Sequence, residues 1–149
     1  MRCKRRADGA RSLGLQLNIL PASSERDFDV VFTNLLQMRA DGLVIGGDPF
    51  FNSRSEQLGE LAARHKVPTI FQFREFTAGG GLASYVASLT DSYRDVGIYA
   101  ARILNGERPG DLPIVEPSRF ELFINLKTAR ALGVTPPQSL LARANEVIE

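Results

Sequence analysis

The sequence predicts an α/β fold in which helices flank a parallel sheet. Short apolar segments with the boundaries of strands recur along the chain, and amphipathic segments with helical spacing separate them. The connections are short, which favours parallel strands joined by right-handed crossovers with helices on both faces of the sheet. With 149 residues, of which 44% are hydrophobic, the chain is long enough for one packed domain.

Residues 11–46 provide the first strand, the first long helix and the second strand of this pattern. Residues 15–20 alternate apolar and polar side chains, as a strand does, after a helix end at Gly14. A helix is predicted next, because apolar residues recur at every third or fourth position: Phe28, Val31, Phe32, Leu35 and Leu36. The apolar run at residues 42–46 predicts a strand buried on both faces of the sheet.

The next helix and strand follow a predicted loop at residues 47–52. Ser53 and Glu56 have the spacing of a capping box, so a helix is expected to begin there. Its buried face is predicted at Leu58, Leu61, Ala62 and His65. Residues 67–73 have the composition of a strand, and residues 74–78 connect that strand to a glycine-rich turn.

A strand and a long helix in residues 79–106 are predicted to form a crossover between two lobes. Glycines at residues 79–81 allow a sharp turn into a strand at residues 82–87. Ser88 and Asp91 have capping-box spacing at the start of the helix, and an Asn-Gly pair ends it. One face of the helix is predicted to be apolar: Tyr93, Val96, Gly97, Ala100, Ile103 and Leu104.

The remaining residues are predicted to return to the sheet. Two extended pieces are expected at residues 112–115 and 120–124. Asn125 is expected to cap a helix that runs to Leu132, and a last helix at residues 138–144 begins after two prolines.

Charge and cysteine content argue against several classes of protein. A net charge of +1, from 18 basic and 17 acidic residues, gives no general attraction to nucleic acid or anionic lipid. The basic residues Arg2, Lys4, Arg5 and Arg6 are most simply a solvated terminus. A single cysteine, Cys3, excludes an internal disulfide, and no apolar run approaches the roughly 20 residues of a membrane helix.

Ligands of open parallel sheets bind beyond the carboxyl ends of the strands, so the loops at residues 46–52, 74–81 and 87–93 are expected to form the site. Their charged and aromatic side chains would suit a small zwitterion or an apolar ligand. The candidate ligand-binding residues are Asp48, Phe50, Asn52, Arg74, Phe76, Ser88, Thr90 and Asp91. Structural roles compete with this interpretation, since Asp48 and Asn52 are also typical turn residues and Asp91 a capping acid. Phe50 is more simply hydrophobic cover.

The sequence lacks the usual catalytic and metal-binding patterns. His65 is the single histidine and lies at a predicted helix end, where a cation interacts favourably with the helix dipole. The sequence has no G-x-S-x-G motif, no paired histidine or cysteine ligands and no phosphate-binding or dinucleotide-binding glycine loop. We therefore predict no enzymatic activity, no cofactor and no metal.

Several local motifs, taken together, resemble one family. They are FFNSR at residues 50–54, REF at 74–76, GGLASY at 80–85, LTDSY at 89–93, RILNGERP at 102–109 and FELFINLKTARALG at 120–133. The set resembles ABC-transporter substrate-binding proteins of the tryptophan/tyrosine-uptake type and covers about residues 11–149. These proteins are similar in fold to type I periplasmic binding proteins, with two α/β lobes, three crossovers and a ligand cleft whose closure signals to a membrane permease.

The resemblance implies a division of the chain. Residues 1–10 would be an unmatched basic tail and residues 11–78 the α/β core of the C-terminal lobe. Residues 79–111 would be a crossover strand and helix that pack on the N-terminal lobe, and residues 112–149 a return segment with C-terminal helices. Only the C-terminal part of the family is matched, so the N-terminal lobe and the first strand of the second lobe are expected to be missing. The exposed helix face would favour self-association.

The function implied is that of a solute-binding component of an ABC importer, binding an amino acid or similar organic solute in an interlobe cleft without catalysis. Expected partners are the solute and an ABC permease, and no nucleic acid. The family is periplasmic, but no signal peptide is visible, so a chain made as written would be cytoplasmic.

One alternative function is that of a cytoplasmic ligand-sensing regulatory domain, which an upstream helix-turn-helix would favour. The other is a small α/β enzyme using Asp48 and His65, which would show turnover.

Overall fold

The computed structural model of the chain describes residues 9–149, so Cys3 and the predicted basic tail at residues 2–6 lie outside the described residues. Residues 9–12 are helical. The helices that follow are α1 Arg26–Gln37, α2 Pro49–Asn52, α3 Ser55–Arg64, α4 Arg74–Ala78, α5 Leu89–Leu104, α6 Leu126–Leu132 and α7 Gln138–Leu141, with a 3₁₀ turn at Pro109–Asp111. The strands are β1 Leu43–Val44, β2 Thr69–Phe71, β3 Ala83–Ala87, β4 Phe120–Asn125 and β5 Glu146–Ile148.

The strands form one sheet in the order β1-β2-β3-β4-β5, which confirms the predicted α/β class with a mostly parallel sheet. β1, β2 and β3 are parallel, and β5 is parallel to β4. The β3–β4 pair is antiparallel, which the sequence did not predict. The chain leaves the carboxyl end of β3 through α5 and returns to the same point, where the Ser88 N–H donates to the Arg119 carbonyl at 2.9 Å.

One face of the sheet carries the main core. Phe71 of β2 packs there edge-on against Phe76 of α4, with ring centroids 5.7 Å apart. The buried cluster is shared by α1, α3, α4 and β2, and consists of Phe28, Phe32, Leu35, Leu58, Leu61, Ala62, Val67, Phe71 and Phe76. Full burial of an aliphatic or phenylalanine side chain stabilises a fold by about 1.5–3 kcal/mol, so this single cluster fixes three helices on one face.

Two predicted features at the first edge of the sheet are wrong. Residues 15–20 belong to no strand of the described sheet, because an alternating pattern does not by itself supply a neighbouring backbone. β1 is not buried on both faces, since Val44 is 66% exposed. Within the described residues β1 pairs with β2 alone and forms an edge of the sheet.

Several short elements also differ from the sequence-based expectations. The predicted loop after β1 contains the helix α2, and the predicted connection after β2 is the helix α4. The predicted last helix is shorter than expected and is followed by the strand β5, while residues 112–115 form no strand. Elements of three to five residues are too short to show a period, which explains why the sequence misplaces them.

The helix-capping predictions are confirmed in part. Asn125 caps α6, because its Oδ1 accepts from the Thr128 N–H at 2.9 Å. The box at the start of α3 is wrong: α3 begins after Arg54, and the Ser53 hydroxyl instead donates to the Phe50 carbonyl at 3.0 Å.

The long helix α5 follows its prediction closely but is poorly covered by the other described residues. It runs from Leu89 to Leu104 and none of its side chains is buried. On its apolar face Val96 is 63% and Leu104 86% exposed. Among the described residues, no helix has both the length and the apolarity to cross a membrane.

Two helical glycines offer a matched test of this packing. A Cβ on Gly59 of α3 would lie 2.4 Å from the Phe76 carbonyl oxygen, whereas a Cβ on Gly97 of α5 would meet no atom within 4 Å. We expect Gly59→Ala to destabilise the chain by about 1–3 kcal/mol through overpacking against α4. Gly97→Ala is expected to stabilise it by about 0.5–1 kcal/mol. Urea unfolding measures both, and a Gly59→Ala variant as stable as wild type would contradict the close α3–α4 contact.

Candidate functional site

The candidate site lies at the carboxyl ends of β1, β2 and β3. These strands are neighbours and run parallel, so their carboxyl ends meet at one edge of the sheet. Asp48 follows β1, Gln72 follows β2 and Ser88 follows β3. The structure thus brings the three predicted loops to one end of the sheet, although each loop is more structured than expected.

Hydrogen bonds, ring contacts and an ion pair hold the loop after β1 in place. Asp48 caps α2, because its Oδ1 accepts from the Phe50 N–H at 2.8 Å, and the Asp48 side chain stays exposed. The Phe50 ring packs against Phe28 at 5.6 Å, and the guanidinium of Arg54 lies 4.5 Å from its centroid. Arg54 also donates to Glu25 at 2.6 Å, which ties this loop to the start of α1. Phe50 is therefore partly a packing residue, as the competing interpretation held.

Gln72 joins the loop after β1 to the end of β2. It is not among the site residues predicted from the sequence. Its Nε2 donates to Oδ1 of Asn52 in a short hydrogen bond. A Cβ on Gly47 would lie 2.7 Å from Oε1 of Gln72, so a side chain at this position would require the Gln72 side chain to shift. The available signal was a polar residue directly after an apolar strand. Asn52 is thus engaged with Gln72 and is held at the edge of the site.

The two candidates after β2 have different surroundings. Phe76 is 0% exposed and belongs to the core, so its ring supports α4 and does not face a ligand. The expectation that Phe76 contacts ligand is therefore corrected. Arg74 is exposed and pairs with Glu146 of β5, through Nε at 2.7 Å and Nη2 at 2.5 Å. This leaves Nη1 outside the pair.

The residues after β3 are arranged around the start of α5. The buried hydroxyl of Ser88 accepts from the Asp91 N–H at 3.4 Å, so Ser88 caps the helix. In a full capping box the Asp91 carboxylate would accept from the Ser88 N–H. That bond is not made here, because the Ser88 N–H donates to the Arg119 carbonyl. The Asp91 carboxylate instead lies 3.1 Å from Arg94 and 3.7 Å from Arg119, with its side chain 28% exposed. Thr90 is exposed beside it.

A shallow hollow of about 250 Å³ lies beside these loops. It is lined by Val44, Ile45, Gly47, Ile70, Phe71, Gln72 and Tyr85. The lining is mainly apolar, with the Gln72 amide as its polar group, and Tyr85 also stacks on Phe120 at 5.3 Å. A mainly apolar hollow with a polar amide, close to loops that carry charged side chains, is typical of a site for a small organic molecule. Among residues 9–149 no group of three or more histidine, cysteine, aspartate or glutamate side chains is placed to hold a metal.

The ion pair between Arg74 and Glu146 shifts the pKa values of both side chains. The hydrogen bond and charge of Arg74 lower the pKa of the Glu146 carboxyl below its ordinary value of 4.5. A carboxyl whose pKa is lower in the folded state stabilises that state above its unfolded pKa, and this contribution is lost as the pH falls through the lowered pKa. The hydrogen bond with Glu146 likewise raises the pKa of Arg74.

We expect Arg74→Ala to move the pKa of Glu146 back up to its ordinary range. Carboxyl ¹³C NMR during an acid titration measures this pKa directly. Arg94→Ala is the matched control, because Arg94 pairs with Asp91 and should leave Glu146 unchanged. A Glu146 pKa that does not rise in Arg74→Ala would show that the pair is absent in solution.

Comparisons with known proteins identify one family and several solved structures of similar fold. A family model described as "ABC transporter substrate binding protein" matches residues 4–148. The search of curated proteins gave no match. The chain resembles the ABC domain in complex with L-Trp from Streptococcus pneumonia, with 25% identity and a TM-score of 0.84 over 99% of this chain and 50% of that one.

Two further structures show the same fold at lower identity. A conserved domain protein from Vibrio cholerae has a TM-score of 0.84 and 24% identity over 97% of this chain and 49% of that one. A substrate binding protein with adhesive properties from Clostridium difficile, in its ligand-free, open structure, has a TM-score of 0.71 and 20% identity over 98% of this chain and 48% of that one. The chain therefore spans about half the length of the structures it matches.

Proposed function

Because the chain belongs to the ABC transporter substrate binding protein family, we propose that it binds a small organic solute, such as an amino acid, for an ABC importer. The observation that carries the proposal is the convergence of three loops at the carboxyl ends of parallel strands, with acidic and basic groups at one rim. The resemblance to a structure in complex with L-Trp supports an amino acid as the ligand class. The proposed role is binding and delivery, without catalysis.

The proposed contacts follow from what each exposed group can still bind. Asp48 and Asp91 would bind an ammonium group, and Arg74 would offer Nη1 to a carboxylate. Asn52 and Thr90 would add hydrogen bonds, and Phe50 the edge of an aromatic wall. The buried Ser88 would act indirectly, by capping α5 and so positioning Asp91. Phe76 is proposed as a support of α4 and not as a contact, because it is buried.

The other wall of the cleft is proposed to come from polypeptide that corresponds to the rest of the matched structures. Those structures are about twice as long as this chain, so the described site has loops on one side only. Closure of two walls around a ligand is how hinged binding proteins gain affinity, and one wall alone binds weakly. We therefore propose millimolar affinity for this chain by itself, a permease as its partner and a periplasmic or extracellular location.

L-tryptophan is the first ligand to test. We expect it to shift the NMR signals of residues 46–52, 72–74 and 88–91 in the complete 149-residue chain, with saturation at millimolar concentration. Asp48→Asn and Asp91→Asn should each weaken binding by about tenfold, since each removes one charge-assisted contact worth about 1.4 kcal/mol. Asp48→Asn can retain the helix cap, because an amide oxygen also accepts from the Phe50 N–H.

Asp41→Asn is the matched control, because Asp41 is exposed and lies before β1, at the opposite edge of the sheet. It should leave the affinity for L-tryptophan unchanged. The assignment of these carboxylates fails if both Asp48→Asn and Asp91→Asn bind as wild type does. Shifts confined to other residues would place the ligand elsewhere.

We further propose that the apolar face of α5 mediates weak self-association when no other lobe covers it. The face is exposed along the helix, including Val96 and Leu104, and contiguous apolar patches of this kind commonly mark interaction surfaces. Val96→Asp places a charge in the centre of the face and is expected to shift the chain toward monomer by at least tenfold in dimer dissociation constant. Sedimentation velocity over a range of concentrations measures the shift.

Val134→Asp is the control for the added charge, because Val134 is also exposed but follows α6 and lies outside α5. It should leave the sedimentation behaviour unchanged. A wild-type chain that stays monomeric at high micromolar concentration would reject the proposal.

A further inference from the structure

The hollow beside the candidate site is formed mainly by side chains on the face of the sheet opposite the main core. Phe71 of β2 is paired with Ser84 of β3, and the Phe71 ring belongs to the core face. Side chains alternate between the two faces of a sheet, so Ile70 and Tyr85, one position away along their strands, point to the other face. Both line the hollow of about 250 Å³. The hollow therefore opens away from the helices of the main core.

Gln72 and Tyr85 are neighbours at the carboxyl ends of β2 and β3. Phe71 is paired with Ser84 in parallel register, and one further step of this register places Gln72 beside Tyr85. Both side chains line the hollow. They therefore place an amide and an aromatic ring side by side against its apolar residues.

The Gln72 amide is oriented by the protein and keeps a free acceptor. Its Nε2 donates to Oδ1 of Asn52, which fixes the direction of the amide. Its Oε1 accepts no hydrogen bond from residues 9–149 and lies close to Gly47, which also lines the hollow. A carbonyl oxygen of this kind has two acceptor sites. A donor on a bound solute can therefore bond to Oε1 without displacing a protein donor.

The Tyr85 ring is also held in place while half of it stays accessible. It stacks on Phe120 with ring centroids 5.3 Å apart and an interplanar angle of 12°. Tyr85 is nevertheless 50% exposed. A ring already packed against a neighbour loses little further freedom when a ligand ring packs on it, which favours binding.

We infer that the hollow receives the side chain of the solute and that Gln72 and Tyr85 select it; this rests on the proposed function. Its volume of about 250 Å³ is below the roughly 300–1,000 Å³ of pockets that enclose a whole drug-sized ligand. It exceeds the roughly 150 Å³ of an apolar cavity that holds benzene. The selected side chain is a flat, mainly apolar ring system that packs on Tyr85 and donates one N–H to Oε1 of Gln72.

L-tryptophan and 1-methyl-L-tryptophan are the probes, because they share a ring system and differ in the indole N–H. NMR titration of the complete 149-residue chain measures both dissociation constants. We expect L-tryptophan to bind about fivefold more tightly, the effect of one ordinary hydrogen bond. Intermolecular NOEs from the indole ring to the methyl groups of Val44 and Ile70 should place the ring in the hollow, because both residues line it.

Variants of Gln72 test the acceptor. Gln72→Leu removes Oε1 at similar side-chain size, so the two ligands should bind within about twofold of each other. Gln72→Glu is the rescue variant, because a carboxylate also accepts from an indole N–H, and most of the preference should remain. Gln57→Leu is the matched control, because Gln57 is exposed on α3, and it should keep the full preference.

Variants of Tyr85 test the ring. Tyr85→Ala should weaken both ligands by about fivefold and leave the ratio of their affinities unchanged, because both lose the same ring contact. Tyr85→Phe keeps the ring and should bind both ligands as the wild-type chain does. A change in the ratio thus reports on Gln72, whereas a common loss reports on Tyr85. Circular dichroism checks that each variant is folded.

The inference is overturned if the wild-type chain binds the two ligands equally, or if Gln72→Leu keeps the fivefold preference. It is also overturned if Tyr85→Ala binds both ligands as wild type does, or if the NOEs come only from residues outside the hollow. Each of these results leaves the proposed function intact, since a solute still binds. Absence of binding by either ligand rejects the proposed function and this inference together.

Discussion

The contact between Phe71 of β2 and Phe76 of α4 is the constraint on which most of the fold depends. It sits at the centre of a cluster that holds α1, α3 and α4 on one face of the sheet. With the helices on one face, right-handed crossovers order β1, β2 and β3 side by side. That order brings the loops after these strands to one edge. The location of the candidate site is therefore a consequence of core packing.

Helices with a clear apolar period were predictable, and pairing partners were not. α1, α3 and α5 are 12, 10 and 16 residues long, enough for a period of 3.6 to be visible. The helices α2 and α4 have 4 and 5 residues and the strand β5 has 3, which is too short for any period to be visible. Residues 15–20 illustrate the second limit, because their alternation describes side chains, whereas a strand also needs a backbone beside it. The antiparallel direction of β4 depends on where the chain returns after α5, which local pattern does not encode.

The meeting of the candidate loops at one end of the sheet was predictable from the sequence, but the bonds that their residues make were not. The Arg74–Glu146 pair joins residues 72 positions apart, and the Gln72–Asn52 bond joins residues 20 positions apart. Such contacts depend on the order of the strands and are invisible in local spacing. Phe76 shows the opposite error, since an aromatic residue in a loop beside the site is used to fill the core. The competing structural roles of Asp48 and Asp91 do not remove them from the site, because both keep exposed carboxylate surface after capping or pairing.

The open surfaces of the molecule follow from the same one-sided packing. The cluster around Phe71 fills one face of the sheet. Among residues 9–149 the outer edge of β1 pairs with no further strand, and the apolar side chains of α5 stay exposed. Both surfaces nevertheless have a residue pattern typical of interfaces. On α5, apolar side chains recur at helical spacing, and at β1, apolar side chains lie beside unpaired backbone groups. Apolar residues at regular spacing are stabilising only when something covers them. The exposed apolar face of α5 is the observation on which its proposed self-association rests.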